Sequence, residues 1–204
     1  MIKKLNWHEF AGEYNQSEWA NLERARICCE QHKIRKDQQR KNFHETIKGL
    51  KEGEAVILMD FKENIKVGGG PRETSHSWWN KIQFTLLDIL VITSKNFHFY
   101  DFISEDLTHD SVFVKSCIAD LLKKQSFKDK KITKLNIWSD GGPHFRNYHL
   151  CDFFISLKND DIYPFTSVEW NYFVEGHGKS YCDSHFSQGI NCSEGSWKPS
   201  AINS

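Results

Sequence analysis

Two aspartates occupy positions at which their carboxylates could share a metal ion. Asp60 directly follows the apolar run Ala55–Met59, and Asp140 directly follows Leu135–Trp138. Short apolar runs of this kind are typical of buried strands. A carboxylate at the end of such a strand is costly to desolvate unless it is exposed, paired or bound to a cation. Either aspartate alone also fits an ordinary turn, so it is the pair on neighbouring strands that favours a functional site.

A third carboxylate lies near the end of the chain. Asp183 follows the glycine-rich segment Gly176–Lys179, at the start of a short predicted helix that would bring its side chain over the other two. Glu175, at the end of the last predicted strand, is the rival third ligand. Lys179 suits a phosphate contact, although the segment lacks the spacing of a phosphate-binding P-loop.

Three carboxylates in one cleft are suited to phosphodiester cleavage. Two Mg²⁺ ions roughly 3.5–4 Å apart can activate the attacking oxygen and stabilise the leaving one, and oxygen ligands hold them. Mn²⁺ also accepts carboxylate ligands. A zinc site built from His177, Cys182, His185 and Cys192 is the alternative by residue type, but its spacing matches no standard zinc motif.

The order of predicted elements provides the scaffold for these residues. Strands are predicted near 55–59, 82–93, 96–103, 132–138 and 167–174, with helices near 17–50, 104–125, 146–157 and 183–190. The first three strands are too close together for crossover helices, so they should form an antiparallel meander. Helices before and after the fourth strand imply crossovers onto the same sheet. We therefore predict an α/β domain with a mixed five-stranded sheet, in the element order of the ribonuclease-H fold, flanked by helices.

Length and composition agree with one such domain and an extension. The chain has 204 residues, of which 39% are hydrophobic and 26% charged. We assign residues 1–53 to an N-terminal helical extension and 54–204 to the ribonuclease-H-like domain. No apolar run approaches the roughly 18–20 residues that cross a bilayer, and the first ten residues lack the apolar core of a signal peptide. The prediction is an intracellular protein with no membrane partner.

Net charge is zero, but its distribution is uneven. Between Lys33 and Lys51 the basic residues outnumber the acidic ones, which are Asp37 and Glu45. The segment is either a solvated helix face or a strip that follows a phosphate backbone. The candidate nucleic-acid contacts in this strip are Arg35, Lys36, Arg40 and Lys41, to which Lys179 is added.

Four segments in order resemble a known family. The segments 56–64, 103–110, 138–147 and 176–183 are similar to those of transposon-derived, mostly uncharacterised animal proteins with a DDE-type transposase/integrase core. The resemblance implies a ribonuclease-H-like fold, Asp60, Asp140 and Asp183 as metal ligands, and Mg²⁺- or Mn²⁺-dependent cleavage and strand transfer of DNA in the nucleus. The sequence departs from the family at Gly142-Pro143-His144, where relatives carry small and amide residues.

The resemblance leaves several functions open. The chain stops about twenty residues after Asp183, so we expect a C-terminally truncated domain. Such a chain could be an active transposase-like enzyme or a simple nuclease. It could also be a catalytically decayed or domesticated protein that keeps the fold and binds nucleic acid. The sequence leaves the oligomeric state open, including a homo-oligomer.

Overall fold

The computed structural model describes residues 16–68, 74, 81–159, 163, 165–174, 181, 182 and 184–186. Its elements form a mixed α/β fold. In chain order they are α1 (Gln16–Lys48), β1 (Glu54–Val67), β2 (Ile82–Thr93), β3 (Phe97–Ser104), α2 (Ser111–Lys123), α3 (Gln125–Lys128), β4 (Lys134–Ser139), α4 (Tyr148–Asn159) and β5 (Ser167–Tyr172). Tyr181, Cys182 and Ser184–Phe186 are also helical, and we call them the C-terminal segment.

The five described strands form one sheet in the order β3-β2-β1-β4-β5. β1 is antiparallel to β2, and β2 is antiparallel to β3. β4 is parallel to both β1 and β5. A three-residue loop joins β2 to β3, whereas helices lie between β3 and β4 and between β4 and β5, as parallel pairing requires. The prediction that the strand of Asp60 lies beside the strand that leads into Asp140 is confirmed.

β1 is longer than the sequence indicates. Asp60 lies in the middle of this 14-residue strand and not at its end, so that part of the prediction was wrong. The polar residues that follow Asp60 still pair with β2, with an irregularity in register between Lys62 and Ile65. The strand continues because the edge that it shares with β2 supplies hydrogen-bond partners after the buried run has ended.

The sheet buries apolar side chains on both faces. One face packs against α2 and α4 through a cluster that includes Ile57, Leu121 and Phe154. The other face carries a smaller cluster in which Val56 and Leu58 meet residues of α1 and of the C-terminal segment. Because successive strand residues point to opposite faces, Asp60 shares the face of Val56 and Leu58. The smaller cluster therefore borders the candidate site.

α2 begins later than the helix that the sequence predicts near 104–125. Its capping residue is Asp110, whose side chain accepts a hydrogen bond from the Phe113 N–H at 2.8 Å. Asp106 accepts hydrogen bonds from the backbone and hydroxyl of Thr108. That local turn engages the side chain of Asp106, and Asp110, four residues later, caps the helix.

α1 contacts the sheet near its C-terminal end. The helix has 33 residues and is roughly 50 Å long. Among its described side chains only Phe43 is buried, and Gln39 accepts a hydrogen bond from the Val174 N–H at 2.7 Å. Within the described residues, no helix combines the length and apolar character needed to span a bilayer.

Candidate functional site

Aspartates occupy the same level of adjacent strands. Asp60 on β1 is the register partner of Asp88 on β2, which is in turn the register partner of Asp101 on β3. Directly opposed residues of antiparallel strands project from the same face of the sheet. Asp140 follows the register pair Met59–Ser139 on β4, just as Asp60 follows it on β1. We call Asp101, Asp88, Asp60 and Asp140 the aspartate row.

Asp88 is the most deeply buried member of the row, with 0% of its surface exposed. Neither carboxylate oxygen makes a hydrogen bond of normal geometry to any described residue. Burial raises the pKa of Asp88 to about 8, the charges of Asp101 and Asp60 contribute to the rise, and weak contacts with the Cys182 thiol and the Ile89 backbone oppose it. In the absence of a cation, Asp88 is therefore largely protonated at neutral pH.

Asp88, Asp101 and His185 could hold a metal ion. One ligand atom from each residue lies within 4.8 Å of the others. His185 Nε2 is 3.3 Å from Asp101 Oδ2, and its ring stacks on Phe99 with centroids 4.0 Å apart and planes 5° apart. The C-terminal segment thus brings an imidazole to two carboxylates of the row.

Asp140 is held by two local contacts. Its Oδ1 accepts a hydrogen bond from the Gly142 N–H at 2.9 Å and lies 3.5 Å from His144 Nε2. Burial alone would raise the pKa of Asp140, but the contacts with His144 and Gly142 outweigh it and lower the pKa overall. A Cβ at position 142 would lie 2.6 Å from His144 Cε1, so this arrangement requires glycine there.

A second imidazole lies close to His144. The His109 ring stacks on Phe61 with centroids 4.5 Å apart, and Phe61 meets His144 edge-on at 4.9 Å. His109 Nε2 is 2.9 Å from Asn64 Oδ1. Burial, followed by the nearby His144, lowers the pKa of His109. His109 therefore supports the surroundings of Asp140 by packing, through Phe61 and His144.

Part of the predicted site lies outside the described residues. Asp183, its rival Glu175, and Lys179 belong there, as do two of the four residues of the alternative zinc site, His177 and Cys192. The basic residues proposed to contact nucleic acid lie on α1. Arg35 and Lys41 are exposed there, and Lys36 and Arg40 are half-buried.

Sequence reasoning missed Asp88 and Asp101. Asp88 interrupts an otherwise apolar strand, Leu86 to Val91, and an ionisable residue within such a run was the available signal. Asp101 carried no comparable signal, because β3 mixes polar and apolar residues along its length. Only the pairing of β2 with β3 brings the two carboxylates together.

Comparison with known proteins places the chain in a family. No curated protein and no solved structure matches it. Residues 39–188, which run from the last part of α1 through β5 and the C-terminal segment, match the model of a domain of unknown function, DUF8701. The match covers most of the chain and includes the whole aspartate row, and the chain therefore belongs to the DUF8701 family.

Proposed function

We propose that this chain is a ribonuclease-H-like domain of the DDE transposase/integrase type, which cleaves and joins DNA strands with Mg²⁺ or Mn²⁺. The observation that carries the proposal is that Asp60 and Asp140 each directly follow the register pair Met59–Ser139 of the neighbouring parallel strands β1 and β4. The sheet order β3-β2-β1-β4-β5 supports it, since an antiparallel meander followed by two parallel strands is the arrangement expected of this fold. The four resembling segments support it independently.

The role of the protein residues is to hold carboxylates in fixed positions. Gly142 and His144 both contact Oδ1 of Asp140, so Oδ2 is the oxygen that would face a cation. Asp60 is held by pairing with Asp88 on β2, and the preceding residue, Met59, also pairs with Ser139 on β4. A divalent ion bound there would neutralise charge that develops on a phosphodiester during cleavage. Asp183 would complete the ligand set, by resemblance.

A second candidate function is nucleic-acid binding without catalysis. The exposed basic residues of α1 favour it, because they could contact phosphates whether or not the aspartates bind metal. This function would suit a domesticated descendant of a transposase. In both cases the expected partner is DNA and the expected compartment is the nucleus.

A nicking assay on supercoiled plasmid DNA tests the catalytic proposal. We expect Asp60→Asn and Asp140→Asn each to lower the rate by at least about 100-fold, because each change removes a charged ligand oxygen. Asp152→Asn, at an exposed position of α4, is the matched control and should leave the rate unchanged. Wild-type nicking should require Mg²⁺ or Mn²⁺.

Two results would contradict the catalytic proposal. One is nicking that persists in Asp140→Asn or in the presence of a chelator, which would indicate a contaminating nuclease or a different site. The other is no nicking by a wild-type protein that still binds DNA, which is the outcome that the binding-only function predicts.

The basic strip of α1 is tested through the salt dependence of DNA binding. Neutralising Arg35, Lys36, Arg40 and Lys41 together by glutamine should flatten the plot of log affinity against log salt concentration. Each lost phosphate contact removes about 0.9 from the slope. The measurement is fluorescence anisotropy with duplex DNA between about 50 and 200 mM salt.

The control variant loses the same number of positive charges at positions outside α1. The exposed lysines replaced are Lys123, Lys128, Lys131 and Lys158. Their replacement by glutamine should leave most of the slope intact. Equal slopes for the α1 variant and the wild type would show that these residues form a solvated helix face and do not contact DNA phosphates.

A further inference from the structure

We propose that Asp88, Asp101 and His185 form a binding site for a transition-metal ion, with Zn²⁺ or Mn²⁺ as its occupant, and that this ion fastens the C-terminal segment to the sheet. Its ligands differ from the Asp60–Asp140 pair, although Asp60 is the register partner of Asp88. It goes beyond the proposed DNA chemistry and does not depend on it.

The geometry of the three residues fits a single ion. Two ligand atoms at roughly 2.0–2.2 Å from a shared ion are at most about 4.4 Å apart. The ligand atoms of Asp88, Asp101 and His185 all lie within 4.8 Å of one another, so little side-chain movement is needed. Two of the ligands are fixed by strand pairing, because Asp88 and Asp101 are register partners on β2 and β3.

The state of Asp88 is the second, independent observation. Its carboxylate is fully buried and both oxygens are without a hydrogen-bond partner of normal geometry among the described residues. A buried polar group without a partner is costly, and proteins usually compensate for it with a hydrogen bond or a metal ion. One of these oxygens is already among the three clustered ligand atoms. A cation between them would therefore satisfy Asp88.

A simple ion pair between His185 and Asp101 is the rival explanation. Their 3.3 Å contact would satisfy those two residues, but it would leave Asp88 without a hydrogen bond of normal geometry to any described residue. The His185 ring stacks on Phe99, and its Nε2 contacts Asp101 Oδ2. A metal ion accounts for all three side chains, whereas the ion pair accounts for two.

The ligand types indicate the class of metal. Mg²⁺ prefers oxygen ligands in an octahedral arrangement and is seldom bound by imidazole. Two carboxylates and one imidazole suit Zn²⁺ or Mn²⁺ and leave coordination positions for water. The two proposed metal sites would then differ in their ligands. Asp60 and Asp140 offer oxygen ligands, whereas the site at Asp88 combines carboxylate oxygens with an imidazole nitrogen.

The ion would link segments that are distant in sequence. His185 lies 84 residues after Asp101, on a segment whose Cys182 and Phe186 pack into the smaller cluster of the sheet. A bond to the metal would add to that packing and hold the segment against β2 and β3. Metal removal should therefore loosen the C-terminal segment before it affects the rest of the fold.

Metal binding by the full chain tests the inference. After chelator treatment, isothermal titration calorimetry is run with Zn²⁺ alone and then with Mn²⁺ alone. The chain carries Cys28→Ser and Cys29→Ser, because adjacent exposed thiols are potential zinc ligands. We expect binding of about one Zn²⁺ ion per chain. His185→Gln and Asp101→Asn should each weaken Zn²⁺ binding by at least about 10-fold. Asp152→Asn, at an exposed position of α4, is the matched control and should keep the affinity within about 3-fold.

Hydrogen exchange gives a second readout that does not depend on affinity. Zn²⁺ should slow amide exchange in the C-terminal segment of the wild-type chain but not of His185→Gln. Both variants can be checked for folding by circular dichroism, because His185 and Asp101 are only partly buried and their loss leaves the core intact.

The inference is overturned if neither ion binds, or if His185→Gln and Asp101→Asn bind as tightly as the wild type. Loss of nicking in Asp140→Asn with unchanged Zn²⁺ binding would separate this site from the catalytic proposal.

Discussion

Relative to Asp88→Asn, the metal-free wild-type chain should lose free energy of unfolding as the pH rises from about 4 to about 8. The pKa of Asp88 is raised from 3.8 to about 8, chiefly because the carboxyl is buried. Each pH unit between these values costs about 1.4 kcal/mol of stability for one such group. The accumulated effect is several kcal/mol, which is a large share of the stability of a typical domain.

The sign follows from the protons bound in each state. Between the two pKa values the folded chain keeps a proton on Asp88 that the unfolded chain has released. Stability decreases with pH wherever the folded state binds more protons. Below about pH 4 both states are protonated, and above about pH 8 both are ionised, so this residue adds no slope there. Asparagine resembles the protonated carboxyl in shape and cannot ionise.

Urea unfolding at a series of pH values measures the effect. The buffers contain a chelator, because a bound cation would favour the ionised form of Asp88 and oppose the trend. At pH 8 the Asp88→Asn variant should be the more stable protein, and the gap should narrow towards pH 5. Asp37→Asn, at an exposed position, should follow the wild-type curve. Parallel curves for wild type and Asp88→Asn would show that Asp88 is ionised in the folded protein.

Phe43→Ala should lower the free energy of unfolding by about 3–5 kcal/mol, which is the usual cost of truncating a buried phenylalanine. Phe43 is 5% exposed and is the one buried side chain among the described residues of α1. Its ring meets Trp138 and Phe173 edge-on, with centroids 5.2 Å apart in each case. It also lies 6.4 Å from the ring of Tyr181 in the C-terminal segment. The residue therefore joins α1, β4 and the C-terminal segment.

Ile34→Ala is the matched control for Phe43→Ala. Ile34 lies on the same helix and is 69% exposed, so its truncation should change the free energy of unfolding by no more than about 0.5 kcal/mol. Urea unfolding monitored by tryptophan fluorescence suits the comparison because Trp138 is in contact with Phe43. A loss below about 1 kcal/mol in Phe43→Ala would show that α1 unfolds independently of the sheet.

The strands of the sheet could be predicted because each one is marked by a run of apolar residues in the local sequence. Strand β2 begins and ends where its apolar run predicts, at Ile82 and Thr93. The gaps between strands then indicate which neighbours are antiparallel and which need a crossover. The element order of the ribonuclease-H fold then placed the strand of Asp60 beside the strand before Asp140.

The site could be predicted only where it coincides with strand ends. Asp140 was found because a turn follows its strand, and Asp60 because the apolar run before it stops. Asp88 and Asp101 gave no such boundary, and their proximity depends on the exact register of β2 against β3. A shift of one residue would send one of them to the opposite face, and composition does not encode that register. The contact between His185 and Asp101 depends on packing across 84 residues, which no local pattern reports.

The central position of β1 has a consequence for synthesis of the chain. β1 is made first among the strands, yet its partner on one side is β4, and the register pair Glu54–Lys134 is separated by 80 residues. At roughly 5–20 residues per second, a ribosome needs about 4–16 s to supply that partner. During this interval the meander can form with one apolar edge of β1 unpaired, and such an edge is a template for association with other chains. A nascent chain that ends between β3 and β4 is therefore the form of this protein most prone to aggregation.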